Sequence, residues 1–225
     1  MLSRPIAMQR QSGARTVMIN VDAVILAAGQ SSRMGVASKA LLPLKGLSLL
    51  DHVIKRLAPQ VDSLVVSGDQ ALLGYLEYPV VEDLTAKFSG PLAGLYSALI
   101  CADLSGAEYL MVVPCDGPLL PESLVARLYR EIKLADSDVA CARYEGVVQG
   151  TFSLWHKRQT GAIKNTLLVD KYGGFKPLLD KMDAVYVDWP KASVNPFFNI
   201  NTPDDLKQAE KLLDLYVSFY NEYIT

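Results

Sequence analysis

The chain has 225 residues, half of them hydrophobic and a fifth charged, with a formal net charge of −2. That length builds one sizeable α/β core without staples, and the near-neutral charge excludes bulk electrostatic binding to nucleic acid. Any anionic ligand must therefore be held by a local cluster rather than a global field. The three cysteines, Cys101, Cys115 and Cys141, are odd in number and lack metal-type spacing; reduced thiols and a cytoplasmic location are expected. No apolar run reaches the length of a membrane span, so no membrane partner is expected. Residues 1–18 carry Arg4, Arg10 and Arg15 without an apolar stretch. They read as a flexible N-terminal extension rather than a signal peptide, followed by a single domain over 19–225.

Short apolar runs then alternate with helical periodicity. Val21–Ala28 is a β-branched run ending at a glycine and predicts a buried strand. Leu47–Ala58 predicts a helix, and Val61–Ser67 a second buried strand. Pro91–Ala102 predicts a helix with Leu92, Leu95, Tyr96 and Leu99 on one face. Tyr109–Val113 is the most hydrophobic strand, and Pro121–Leu134 a helix with Leu124, Leu128 and Ile132 in register. Asp138–Ala142, Val147–Leu154 and Ala184–Asp188 predict further strands. The last helix has the clearest start: Thr202 as N-cap, Pro203 at the first helical position and Asp205 three residues after the cap. Leu206, Ala209, Leu213 and Tyr216 continue it at helical spacing. This alternation predicts a Rossmann-like three-layer α/β/α fold with a mostly parallel central sheet. Ligands of such sheets bind beyond the carboxyl ends of the strands, here just after Ala28, Ser67 and Val113.

The chemistry-bearing residues sit at those places. Ala28-Gly29-Gln30-Ser31-Ser32-Arg33-Met34-Gly35 follows the first strand. Its backbone N–H groups can cradle phosphate oxygens, and the Arg33 guanidinium adds a matching fork of donors. By itself, such a loop reads equally well as a plain strand-to-helix turn. It is not a P-loop and lacks the three-glycine dinucleotide pattern. Lys39 follows closely, where a cation can hold a triphosphate and offset charge on a leaving pyrophosphate; alone it reads as a snorkelling side chain. The third strand ends in Pro114-Cys115-Asp116-Gly117-Pro118. Asp116 there is placed to hold Mg²⁺, although Asp-Gly-Pro also starts turns well. Asn199-Ile200-Asn201-Thr202-Pro203 opens the last helix; Thr202 caps it and Asn201 tolerates unusual backbone angles, while the two asparagine carbonyls can also serve as hard-cation ligands. His52 and His156 lie too far apart to suggest a shared role. No Ser-His-Asp or Cys-His pattern is visible, which disfavours a hydrolase with a covalent intermediate. Tyr216, Phe219, Tyr220 and Tyr223 read as core packing or a subunit contact.

Taken together, Leu26-Ala27-Ala28-Gly29 with Arg33-Met34-Gly35, Lys39, Gly90-Pro91-Leu92-Ala93-Gly94, Pro114-Cys115-Asp116-Gly117-Pro118 and Asn199-Ile200-Asn201-Thr202-Pro203 resemble molybdenum cofactor guanylyltransferases. These are the MobA-like members of the nucleotidyltransferase superfamily, with the nucleotide-diphospho-sugar transferase type of fold. The resemblance implies transfer of GMP from GTP to molybdenum-molybdopterin with release of pyrophosphate, and Mg²⁺ as cofactor. It implies GTP and molybdopterin as partners, and extends the list to molybdoenzyme maturation proteins. It assigns Gly29, Arg33 and Lys39 to the triphosphate, Asp83 and Gly94 to the nucleotide, Asp116 to the metal, and Asn199 and Asn201 to support of the metal or the pterin. Backbone groups of Leu26, Ala27 and Ala28, with the Ser67 side chain, are assigned to the base. The chain departs from the pattern at four places. Ala28 stands for a second glycine, Ser38 for an aspartate before the lysine, Ser67 for an asparagine, and Gln149-Gly150 for a His-Pro pair. The alternatives are cytidylyl transfer to the same cofactor, sugar-1-phosphate nucleotidyl transfer, and a non-catalytic molybdopterin-binding homologue.

Overall fold

The computed structural model describes residues 20–28, 38–84, 90–101 and 104–222. The strands are β1 (Val21–Leu26), β2 (Pro43–Leu44), β3 (Leu47–Ser48), β4 (Ser63–Ser67), β5 (Val80–Val81), β6 (Tyr109–Pro114), β7 (Val139–Tyr144), β8 (Val147–His156) and β9 (Ala184–Trp189). Seven of them form one sheet in the order β5-β4-β1-β6-β8-β7-β9, while β2 and β3 form a separate small hairpin. β1 is parallel to β4 and β6, β4 to β5, and β7 to β9. Only β8 runs against its neighbours β6 and β7. The mostly parallel sheet expected from the alternating pattern is present.

The helices are α1 (Leu49–Leu57), α2 (Gln70–Leu73), α3 (Pro91–Cys101), α4 (Leu124–Ala135), α5 (Thr160–Leu168), α6 (Lys176–Leu179) and α7 (Pro203–Glu222). They form layers on both faces of the sheet. Ile25, Val66 and Met111 point to the face covered by Val53 and Leu57 of α1 and Leu128 and Ile132 of α4. Val24, Val65, Leu110 and Val112 point to the face covered by Leu92 and Leu95 of α3 and by Ile163 and Leu167 of α5. With both faces covered, β1 and β6 carry apolar residues almost without alternation. A smaller cluster joins Leu44, Leu49 and Leu119 to Ala209 and Leu213 of α7.

Several element boundaries differ from the sequence reading for local reasons. Leu47 and Ser48 belong to the β2–β3 hairpin, whose turn places Lys45 and Gly46 at φ of 50° and 86°. α1 therefore starts at Leu49, behind a capping box: Asp51 N–H donates to Ser48 Oγ at 3.0 Å, and Ser48 N–H to the Asp51 carboxylate at 3.2 Å. α4 starts at Leu124 rather than Pro121, since Gln60 from the α1 end caps it. Gln60 accepts from Val125 N–H at 3.0 Å and donates to the Pro121 carbonyl at 3.1 Å. α7 starts where its cap residues predict. Asp205 N–H donates to Thr202 Oγ1 at 3.2 Å, and Thr202 N–H donates back to Asp205 at 2.8 Å. Residues 1–18, Gly29 and Arg33 lie outside the described residues, as do the side chains of Tyr216, Phe219, Tyr220 and Tyr223.

Candidate functional site

A cavity of about 530 Å³ opens where the parallel strands end. Leu26 ends β1 and Ala28 follows it, β4 contributes Ser67, and Asp83 follows β5. Pro114, Cys115 and Asp116 come from the end of β6, and Thr151 from β8. Gly90, Pro91 and Gly94 form the α3 wall, Lys39 comes from a short 3-10 turn, and Asn199 and Asn201 precede α7. Its position follows the rule for open α/β sheets.

The centre of the cavity is polar and tightly connected. Lys39 Nζ lies 2.5 Å from Asp116 Oδ2 and 2.7 Å from Asn201 Oδ1. The pair is largely withdrawn from solvent, with side chains 12% and 19% exposed. Ile200 N–H donates to the Asp116 carbonyl at 2.9 Å, which seats the two asparagines against the end of β6. Asp116 Oδ1 and Asn199 Oδ1 are buried and have no hydrogen-bond partner among the described residues. Two orphaned acceptor oxygens are costly unless something cationic or a donor satisfies them. One carboxylate and one amide carbonyl are a hard-oxygen set that fits Mg²⁺, which keeps several ligands from water and substrate phosphates. Among the described residues, no group of three or more His, Cys, Asp or Glu could hold a metal, so a closed protein cage is not built here. Asn201 differs from Asn199: its carbonyl oxygen is engaged by Lys39, so it acts on the site through that lysine.

The other end is shaped by close packing of α3 on the sheet. A Cβ at Gly94 would stand 2.7 Å from both Leu26 Cδ2 and Ser67 Oγ, so a larger residue would have to displace these two side chains or the helix. Ser67 Oγ donates to Asp83 Oδ1 at 3.4 Å. Burial raises the Asp83 carboxyl above its ordinary range, and the Ser67 hydrogen bond opposes that shift. The α3 N-terminus is not an open anion site: Leu92 N–H is taken by the Gly173 carbonyl and Ala93 N–H by that of Gly90.

Of the residues expected at the site, Leu26, Ala28, Lys39, Ser67, Asp83, Gly94, Asp116, Asn199 and Asn201 surround one cavity. Ala27 does not. Its side chain packs into the α1 and α4 face of the core, and its N–H is spent on the Ser67 carbonyl at 2.7 Å. Of its two backbone groups, the carbonyl is the one left to meet a ligand. Thr151 was missed, because no motif of its own marks it. Cys115 lines the cavity, but burial and the Asp116 charge push its thiol up to about 12, so it is no thiolate nucleophile. Neither histidine reaches the cavity. His52 Nε2 lies 2.8 Å from the Leu44 carbonyl oxygen, and His156 packs on Tyr109 with ring centroids 4.8 Å apart. Burial and Arg158 lower the His156 pKa.

Residues 23–185 match the model of the MobA-like NTP transferase domain. The chain belongs to this family. A molybdenum cofactor guanylyltransferase of Rhodopseudomonas palustris is 37% identical over 194 residues, covering 84% of this chain and 92% of that relative. One from Mesorhizobium japonicum is 35% identical over 206 residues, covering 88% and 99%. The crystal structure of molybdopterin-guanine dinucleotide biosynthesis protein A from Archaeoglobus fulgidus superimposes with a TM-score of 0.73 at 23% identity, over 86% of this chain and 98% of that one. At that identity the likeness is one of fold. The MobA-like domain thus includes the whole cavity except Asn199 and Asn201, which the chain adds from beyond residue 185. Among the described residues no helix is long and apolar enough to cross a membrane.

Proposed function

We propose that this chain transfers GMP from GTP to molybdenum-molybdopterin, giving the guanine dinucleotide cofactor and pyrophosphate. The names of its relatives support the substrates. The observation that carries the chemistry is the pair of buried oxygens on Asp116 and Asn199, without partners among the described residues, beside the Lys39–Asp116 ion pair.

In the reaction, an oxygen of the acceptor's terminal phosphate attacks the α-phosphorus of GTP. A new P–O bond forms, the α–β P–O bond breaks, and pyrophosphate leaves with the electron pair. The acceptor phosphate is already ionised near neutral pH, so no side chain need act as general base. Lys39 supplies fixed positive charge, and alignment replaces a nucleophile of the protein's own. Asp116 and Asn199 would hold Mg²⁺, which supplies neutralisation of phosphate charge. Asn201 keeps Lys39 in place. Gly29 and Arg33 take the triphosphate in this reading, on the family pattern. Ser67, Asp83, Gly94 and the backbone from Leu26 to Ala28 take the nucleoside. Residues 19–225 act as one nucleotidyltransferase domain in the cytoplasm.

Cytidylyl transfer is the second reading, and one observation favours keeping it. The family's asparagine is here Ser67, whose hydroxyl is directed to Asp83 rather than left for a base. Pyrophosphate release from each of the four NTPs, with Mg²⁺ and with or without molybdopterin, tests the assignment. Release that needs both GTP and molybdopterin supports it; release without the acceptor, or none, overturns it.

A further inference from the structure

The register of β8 breaks beside the cavity. Cys141 pairs with Ser153, but the next β7 residue, Ala142, pairs with Gln149. Gly150, Thr151 and Phe152 therefore face no residue of β7, and the β6 pairing also stops at Ser153. This bulge is fixed from both sides. Ser153, fully buried, donates its hydroxyl to the Gly150 carbonyl at 2.8 Å and accepts from the Trp155 indole N–H at 2.7 Å. Phe152, also fully buried, packs on Phe197 at 5.0 Å and fills the space beside Gly117, where a Cβ would overlap its ring. Bulges of this kind re-aim a side chain next to a site. The re-aimed side chain is Thr151, which lines the cavity and has no hydrogen-bond partner among the described residues.

Its place across the sheet says what it meets. The cavity runs from Asp83 after β5 and Ser67 on β4, past β1, to Asp116 at the end of β6 and Thr151 on β8. The nucleoside occupies the β4–β5 end in the reaction proposed above. Thr151 stands one strand beyond Asp116 on the opposite side, about 5 Å further. We propose that the Thr151 hydroxyl donates to the terminal phosphate of the acceptor and that Ser153 is the positioning residue behind it. This inference rests on the guanylyl transfer reading.

The test measures kcat, the KM for molybdopterin and, without acceptor, the Kd for GTP. Thr151→Ala and Thr151→Val should raise the KM about tenfold, the worth of a hydrogen bond to a charged group. The GTP Kd should not move, and Thr151→Ser should stay within about twofold of wild type. Ser153→Ala should raise the same KM, and should add nothing in the Thr151→Ala background, since coupled residues are non-additive. A wild-type KM in Thr151→Ala, an equal loss of GTP affinity, or additive effects of the two substitutions would overturn the proposal. If the wild-type chain releases no pyrophosphate, the reaction itself fails. Direct binding of molybdopterin then decides the subsite, and equal affinity of wild type and Thr151→Ala overturns it.

Discussion

Lys39 and Asp116 are 77 positions apart in sequence and 2.5 Å apart in space. Their contact joins the segment after the first strand to the end of the central strand β6, and Asn201 closes the triangle from the start of α7. Lys39 engages one Asp116 oxygen, and the other is buried with no hydrogen-bond partner among the described residues.

Asp116→Asn should keep the fold and lower transfer by about a hundredfold or more, the range for losing a group that stabilises charge in the transition state. Steady-state pyrophosphate release under saturating Mg²⁺ checks this. Turnover at the wild-type level would remove Asp116 from the metal site.

Gly94→Ala should weaken nucleotide binding more than it weakens the fold. The added methyl meets Leu26 Cδ2 and Ser67 Oγ at 2.7 Å, so those side chains must turn or α3 must lift, and either change disturbs the nucleoside end of the cavity. A rise of about tenfold or more in the GTP Kd is expected by calorimetry. An unchanged Kd would show that the helix does not shape the nucleotide end.

Asp83 makes stability depend on pH. Its folded pKa lies above its ordinary value because of burial. A carboxyl of this kind binds its proton more tightly when folded. Its stabilising contribution is full below the unfolded pKa, near 4, and is lost as pH rises through the folded pKa. In Asp83→Asn that loss is absent, so the variant's Tm should gain on wild type between pH 4 and pH 7. A constant Tm difference over that range would contradict the account.

The opposite end of β1 holds a buried ion pair with no part in the chemistry. The Asp22 side chain is fully buried, accepts from Lys157 Nζ at 2.7 Å, and also accepts from the Ser105 hydroxyl. Lys157→Met leaves that carboxylate uncompensated and should cost roughly 3–5 kcal/mol. Urea unfolding measures the loss. The folded fraction should still transfer GMP at the wild-type rate, and a slowed rate would tie this pair to the site.

The parts of the fold written in local pattern were legible in the sequence. β1 and β6 are continuous apolar runs, and α7 announces itself with Thr202, Pro203 and Asp205. The motif residues Lys39, Asp116, Asn199 and Asn201 line one cavity, with Asp116 directly after β6 and the two asparagines just before α7. What stayed illegible depends on distant partners. Gln60 caps α4 from 65 positions away, and this decides where that helix starts. α5 has a weak amphipathic pattern and is held by burial of Ile163 and Leu167 against α3. Thr151 enters the cavity only because β8 slips its register, and alternation along the strand cannot reveal a slip.

The most direct test of the central claim is the identity of the product formed from equal GTP and CTP with Mg²⁺ and molybdopterin. Selectivity for a base edge comes from leaving buried groups unpaired against the wrong one. Ser67 removes one side-chain contact, while the backbone of Leu26–Ala28 does not depend on side-chain identity. Mass spectrometry should therefore show mainly the guanine dinucleotide, with a detectable cytosine product. A cytosine dinucleotide in excess, or no dinucleotide at all, would contradict the account.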